Sequence, residues 1–303
     1  MENDKIYIDS ISAGLRIDKF LSEQDSNRTR SYIQKLIKEN YITANGTCVK
    51  ANYKLSEGDI LEVRIPESIP LDIVPEDIPL DILFEDADLI VLNKPKNMVV
   101  HPAAGHYSGT IVNALLYHCK SNLSGINGIM RPGIVHRIDK DTTGAIVVCK
   151  NDLSHNSLAL QLKEHTITRR YEAIVYNHFA QEEGCIDAPI GRHPIDRKKM
   201  AVNYKNGKEA ITHYQVIRNL NQNFSYIACK LETGRTHQIR VHMASINHPL
   251  LGDEVYGSSK SKFHLEGQTL HAKILGFKHP RTGEYMEFQA PLPEYFQQLL
   301  KSL

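Results

Sequence analysis

Long apolar runs are missing from this sequence. No stretch of its 303 residues approaches the roughly 20 consecutive apolar positions that a membrane-spanning helix needs. The opening Met-Glu-Asn-Asp-Lys has neither the basic nor the apolar region of a secretory signal, so a cytoplasmic protein without a membrane attachment is expected. Paired cysteines are missing too. The five (Cys48, Cys119, Cys149, Cys185 and Cys229) are scattered, and no two form a C-x-x-C pair. That spacing argues against a zinc site and a disulfide framework, and it favours a reducing compartment. There is no phosphate loop, no metal-ligand cluster, no internal repeat and no low-complexity segment.

What is present is ordinary in amount and uneven in placement. A hydrophobic content of 41% and a charged content of 23% suit a soluble globular protein, and the length suits two domains. The net charge of +1 hides a strong segregation. Residues 16–54 carry eight Lys/Arg against four Asp/Glu, and residues 55–88 carry one Arg against eleven acids. Residues 89–303 carry 26 basic and 17 acidic residues. Two basic blocks around an acidic hinge suit a nucleic-acid partner held at both ends; basic faces that are merely solvated are the alternative. Pro66, Pro70, Pro75 and Pro79 stand among acids in the hinge. Proline stiffens the chain and removes donors, so an extended linker is expected there, between a module at 14–75 and a domain at 80–303.

In the first block, Ile17, Phe20 and Leu21 have the spacing of a short helix. A second helix starts after Thr29 as N-cap, with Tyr32, Ile33, Leu36 and Ile37 on its apolar face. Tyr41 to Gly46 reads as strand and turn, and Val49-Lys50 and Ile60 to Val63 as short strands. This small α/β unit resembles the RNA-binding module first seen in a small-subunit ribosomal protein, the S-four module. The matching residues are Arg16-Ile-Asp-Lys19-Phe-Leu, Thr29-Arg-Ser31, Ile42-Thr-Ala-Asn45-Gly46 and Leu55-Ser-Glu-Gly58-Asp59. The resemblance implies phosphate contacts from Arg16, Lys19, Arg28, Arg30 and Lys35, which anchor RNA without reading its sequence.

Beyond the hinge, strands are expected at Leu80 to Phe84, Leu89 to Asn93, Ala145 to Cys149, Tyr171 to Tyr176, Ala210 to Ile217 and Phe224 to Leu231. Asp152 can cap a helix through Leu162, and Thr236 to Ile246 can form another. The fold class is α+β: a strand-rich catalytic domain with a mixed, largely antiparallel sheet behind the small α/β module. The most informative loop is Arg131 to Gly144, where Ile134-Val135 runs into His136, Arg137 and Asp139 and then Thr142-Thr143-Gly144. Taken alone, Asp139 is a turn residue more readily than a catalytic one. Likewise Tyr171 alone is a core tyrosine, and Gly234 to His237 alone is a weak anion-site signal.

Together these stretches say more. The order Asn93-Lys94-Pro, His136-Arg137-Ile-Asp139-x-x-Thr142-Thr-Gly, Arg169-x-Tyr171-x-Ala and Gly234-Arg235-Thr-His237-Gln-Ile-Arg240 resembles the RluA-type pseudouridine synthases, the large-subunit ribosomal RNA branch. Gly252-Asp-Glu-Val-Tyr256-Gly, Leu270-His-Ala-Lys, Leu275 to Glu284 and Ala290-Pro-Leu-Pro293 extend the match to the C-terminus. Asn97, Ile138, Thr143 and Arg169 depart from the usual Gly, Leu, Ser and Lys, and none of these swaps removes a catalytic group.

The resemblance implies isomerisation of uridine to its C5-glycoside in RNA, with 23S ribosomal RNA as the expected target, by a monomer that needs no protein partner. No bond energy is imported, so neither a nucleotide cofactor nor a metal is required. The uridine is flipped out of the RNA to be reached. Asp139 then attacks the sugar C1′ or acts as a base at the sugar; the residues do not choose between the two. The resemblance pairs Arg235 with Asp139 to keep it ionised in a dry pocket and stacks Tyr171 on the uracil. It has Arg137 fill part of the space left by the base or hold a phosphate, and makes Asn93, Lys94, His136, His237 and Arg240 substrate-side residues; His136 reads as a loop-fixing hydrogen bonder in preference to a proton shuttle. Two other readings remain. Asp139-Lys-Asp141-Thr-Thr143 fits the D-x-D-x-T nucleophile motif of magnesium-dependent haloacid dehalogenase-type phosphatases, and the basic blocks suit a non-enzymatic ribosome-assembly factor.

Overall fold

The computed structural model describes residues 2–24, 30–65, 73–103, 106–120, 123–126, 131–197, 199–257, 263 and 265–303. It divides into two compact units, Met1–Pro70 and Leu71–Leu303. The first contains β1 (Glu2–Tyr7), α1 (Ile17–Gln24), α2 (Arg30–Lys38), β2 (Ile42–Ala44), β3 (Thr47–Cys48) and β4 (Ile60–Ile65). The strands form one antiparallel sheet in the order β1-β4-β2-β3. Ile17, Phe20 and Leu21 of α1 and Ile33, Leu36 and Ile37 of α2 are buried against it, as their helical spacing dictates.

Two details differ from the sequence reading. The unit begins with β1, well before residue 14. The strand expected at Val49-Lys50 lies at Thr47–Cys48. Asn45 and Gly46 both take positive φ, making a two-residue hairpin turn, so pairing resumes directly after Gly46 as Ala44↔Thr47. Thr29, Arg28, Pro66 and Pro70 lie outside the described residues.

The second unit runs β5 (Ile82–Glu85), β6 (Leu89–Lys94), α3 (Ile111–Cys119), β7 (Thr143–Cys149), α4 (Asp152–Lys163), β8 (Thr168–Tyr176), β9 (Glu183–Asp187), β10 (Ile190–Arg192) and β11 (Met200–Val202). It continues with β12 (Ile211–Leu220), β13 (Phe224–Leu231), α5 (Gln238–Ser245), β14 (Leu270–Lys278), β15 (Tyr285–Gln289) and α6 (Glu294–Ser302). A nine-stranded sheet has the order β5-β6-β7-β14-β8-β13-β12-β9, with β15 beside β14. β7 and β14 run parallel over His271↔Thr143 and Ala272↔Gly144, and the other pairs are antiparallel, so the fold is the mixed, largely antiparallel α+β class read from the sequence.

Burial follows the two-residue period of the strands. Ile90, Leu92, Ile146 and Val148 face a core shared with α3 and α5. Leu89, Val91, Ala145 and Val147 face the opposite core with Leu158 of α4. A sheet covered on both faces explains why β6 and β7 read as continuous apolar runs. The segment from Ile73 to Pro79 docks on this unit rather than hanging free. Ile73 joins its core, Glu76 N donates to Asn113 O at 3.0 Å, and Asn113 Nδ2 donates to Val74 O at 2.9 Å. The N-cap of α4 is Asn151, which accepts from Ser154 N at 3.0 Å, and Asp152 begins the helix. The helix expected from Thr236 starts at Gln238, because His237 sits at φ 57 in the left-handed region.

Candidate active site

The loop before β7 is fixed from three sides. Asp139 O accepts from Thr142 N at 3.1 Å, so the backbone makes the turn and leaves the Asp139 carboxylate free. His136 Nε2 accepts from Val147 N at 3.1 Å. Desolvation, and then the charge of Arg169, push the His136 pKa down to about 3, which keeps that acceptor bare. Lys94, 1% exposed at the end of β6, donates through Nζ to the carbonyls of Pro95, Met98 and Lys140, each at 2.8 Å. Gly144 lies at φ 108 where β7 meets β14, and a Cβ there would collide with the Ala272 carbonyl.

The Asp139 carboxylate opens into a cavity of about 60 Å³, whose walls include Tyr171, Arg235, His237 and Arg240. Tyr171, on β8, is 8% exposed, and burial raises its pKa. Arg240, in α5, donates from Nη1 to Asp139 Oδ2 at 2.9 Å. Its other edge is bidentate on Asp253, Nε to Oδ2 at 2.7 Å and Nη2 to Oδ1 at 2.9 Å. Burial opposes the Arg240 charge, but the two carboxylates outweigh it and raise its pKa. His237 Nε2 lies 3.8 Å from Asp139 Oδ1.

Next to this cavity, and sharing Arg137, Tyr171, Leu231 and Arg235 with it, is a larger one of about 620 Å³. Its lining includes Arg131, Lys163 and Arg169 and, among the described residues, no carboxylate. The arrangement is a carboxylate braced by a guanidinium beside a tyrosine face, opening onto a cationic hollow. It can act on a neutral ring and sugar while holding an anion nearby.

A family model described as RNA pseudouridylate synthase matches residues 88–245, and one for the S4 domain matches residues 15–61. The RNA pseudouridine synthase YlyB of Bacillus subtilis (strain 168), itself called uncharacterized, is 52% identical over 288 residues, covering 95% of this chain and 94% of that one. The chain belongs to the RNA pseudouridine synthase family. The ribosomal large subunit pseudouridine synthase D of Zymomonas mobilis is 47% identical, covering 100% of this chain and 98% of that one. The solved structure of human RNA Pseudouridylate Synthase Domain Containing 1 has a TM-score of 0.57 over 75% of this chain and 95% of its own, and at 23% identity it supports the fold alone. This synthase is therefore an isomerase that converts uridine to pseudouridine in RNA.

Within the synthase, the structure brings together Asp139, Tyr171, Arg137, Arg235, His237 and Arg240 around one cavity. The cation on Asp139 is Arg240, not Arg235. Arg235 precedes the left-handed His237, and its Nε is turned to donate to Glu209 O at 2.8 Å. Asn93 and Lys94 line neither cavity: Asn93 Nδ2 donates to Asp81 Oδ2 at 2.8 Å, and the Lys94 amine is spent on carbonyls. His136 lines the larger cavity but spends Nε2 on β7. Asp253 and Tyr256 were not singled out as site residues. Their signal was the Gly252-Asp-Glu-Val-Tyr256-Gly stretch, an acid and an aromatic in a Gly-flanked turn. The phosphatase reading fails on topology, since β7 follows Asp139 where that motif requires a strand before it.

In the S4 unit, Asp18 has a fully buried side chain and gathers two of the three expected arginines, Arg16 and Arg30. Arg16 donates from Nε and Nη2 at 3.0 Å each, and Arg30 from Nε at 3.1 Å and Nη2 at 3.0 Å. Burial raises the Asp18 pKa, but hydrogen bonds from Arg16, Gln34 and Arg30 prevail and hold it at about 2. Both arginine side chains stay about half exposed (45% and 48%), so each guanidinium is oriented and still open to a phosphate. Lys19 lies 3.7 Å from Glu23 on the exposed side of α1. Arg28 and the side chain of Lys35 lie outside the described residues.

Proposed function

We propose that this synthase isomerises specific uridines of large-subunit ribosomal RNA, with Asp139 as the residue that acts on the ribose of a flipped-out uridine. The observation that carries the reading is the Asp139 carboxylate held by Arg240 at 2.9 Å inside a cavity walled by Tyr171. A carboxylate paired with a guanidinium serves equally as a nucleophile at C1′ or as a base at the sugar. Tyr171 offers its ring to the uracil. Arg137 and Arg235 stand where the two cavities join, and with Arg131 and Arg169 they offer cations to the backbone beside the uridine. The choice of RNA rests on relatives named ribosomal large subunit pseudouridine synthase D and on the S4 domain. A monomer working in the cytoplasm fits that target. Among the described residues no helix is long and apolar enough to cross a membrane.

Asp139→Asn removes the negative charge while keeping the shape. We expect it to abolish tritium release from C5-labelled ribosomal RNA and to leave RNA affinity within about twofold, because base and phosphate contacts remain. Full activity in this variant would overturn the assignment of Asp139. Pseudouridine mapping of ribosomal RNA from cells with and without the protein identifies the target, and an unchanged map of the large-subunit RNA would remove that substrate.

A further inference from the structure

Asp139, Arg240, Asp253, Tyr256 and His237 are joined in a closed circuit of contacts, of which Asp139, His237 and Arg240 line the small cavity. Asp253, 1% exposed, grips Arg240 and accepts with Oδ1 from Val255 N at 2.9 Å and Tyr256 N at 3.1 Å. The Tyr256 ring lies under Arg240, with Cζ 5.1 Å from the ring centroid. The Tyr256 hydroxyl meets His237 Nδ1 at 2.8 Å, and His237 Nε2 returns to Asp139.

The hydroxyl has a second contact that bears on the direction of the chain. It accepts from Met200 N, at the start of β11, at 2.9 Å. A phenol has one proton, and among the described residues its only other partner is His237 Nδ1. Given to Nδ1, that proton leaves the nitrogen bare and puts the ring proton of the neutral imidazole on Nε2. Burial lowers the His237 pKa, opposed by Asp139, and so favours the neutral ring. Held at φ 57 ahead of α5, His237 points this N–H at the carboxylate oxygen that Arg240 leaves free.

We infer that Tyr256 is a positioning residue for the isomerisation: its hydroxyl fixes the His237 tautomer, so that an N–H donor rather than a bare nitrogen faces Asp139. The 3.8 Å separation shortens as substrate is bound, as catalytic hydrogen bonds tighten on complex formation. Without the hydroxyl, no donor holds Nδ1 bare, and the tautomer that turns a bare nitrogen toward Asp139 becomes accessible. The inference rests on Asp139 as the acting residue, and its test separates the two.

The first measurement needs no variant. Nitrogen-15 NMR of histidine-labelled protein should show His237 with a protonated Nε2 and a bare Nδ1; the opposite tautomer overturns the inference whatever Asp139 does. In Tyr256→Phe the apolar ring contacts persist. We expect the single-turnover rate to fall about tenfold, from loss of the bond to His237, with RNA affinity within twofold; loss of the Met200 N–H bond lies outside the cavity. In a His237→Ala background, Tyr256→Phe should cost nothing further, because its effect passes through the histidine. A wild-type rate in Tyr256→Phe, or losses that add in the double variant, would overturn the role of Tyr256 while leaving the Asp139→Asn result standing.

Discussion

Arg240 has two carboxylates to satisfy and one flat guanidinium with which to do it. Its Nη1 holds Asp139, and its Nε–Nη2 edge holds Asp253. A lysine in its place keeps the charge and loses the fork. Arg240→Lys should therefore lower the single-turnover rate by roughly a hundredfold with little change in RNA affinity, since a preorganised donor is lost at the reacting carboxylate. Arg240→Ala is the poorer probe. It strands buried charges, costs on the order of 3–5 kcal/mol, and confounds rate with stability. Arg235→Lys, at a side chain turned to the Glu209 carbonyl, should change the rate less than tenfold and act mainly on RNA affinity. Rapid-quench assays on both variants check this, and the reverse ranking would return the pairing role to Arg235. The two arginines stand in one motif five residues apart, and sequence spacing alone cannot tell which reaches the carboxylate. The left-handed turn at His237 decides it, and nothing in a histidine's identity announces a positive φ.

The element that holds the catalytic loop is the end of β6. An ammonium has three N–H donors, and Lys94 gives them to three carbonyls, one of which belongs to Lys140 beside Asp139. Lys94→Met leaves those carbonyls without a donor and should cost roughly 1–3 kcal/mol. It should also lower the single-turnover rate, because the loop next to Asp139 is released, while RNA affinity holds. The pH dependence of stability carries a signature. Burial, against weaker support from Asp141 and Asp139, pushes the Lys94 amine down to about 7, whereas the unfolded chain keeps it at its ordinary 10.5. Between those values the unfolded state binds more protons, so raising the pH through this window favours the folded state. Lys94→Met should lose that rise in a denaturation series, and an unchanged slope would show that the amine stays charged throughout. At this scale much was legible from sequence. β6, β7, β8 and β13 carry apolar runs long enough to be seen, and the apolar spacing of α1 and α2 shows plainly. β9, β10 and β11 have three to five residues each and mixed burial, so pairing rather than pattern makes them strands. β14 was visible only as motif, because His271 and Lys273 interrupt its run; His271 is nevertheless buried, bonded through Nδ1 to Thr143 and through Nε2 to Ala290 O.

At the scale of the whole chain, two units with separate cores divide the work of an enzyme on a large polyanion. The catalytic unit needs its cations close to one carboxylate, and the S4 unit needs them oriented toward solvent. Asp18 serves the second need. With its pKa at about 2 it remains ionised at every working pH, and it aligns Arg16 and Arg30 without hiding them. A pair of long side chains held this way loses less rotamer freedom when a phosphate arrives, so each contact retains more of its electrostatic gain. Changing Arg28, Arg30 and Lys35 together to Ala should therefore weaken ribosomal RNA binding and flatten its salt dependence. If each neutralises one phosphate, the slope of log affinity against log salt falls by roughly 2 to 3. Asp18 keeps Arg16 and Gln34 as partners, so the unit stays folded. The single-turnover rate at saturating RNA should stay within about twofold, because the groups around Asp139 are untouched. Filter-binding titrations across a salt series, paired with tritium release at saturation, separate the two effects. An unchanged slope would take this unit off the binding surface, and a slowed chemical step would show that it contributes more than anchorage.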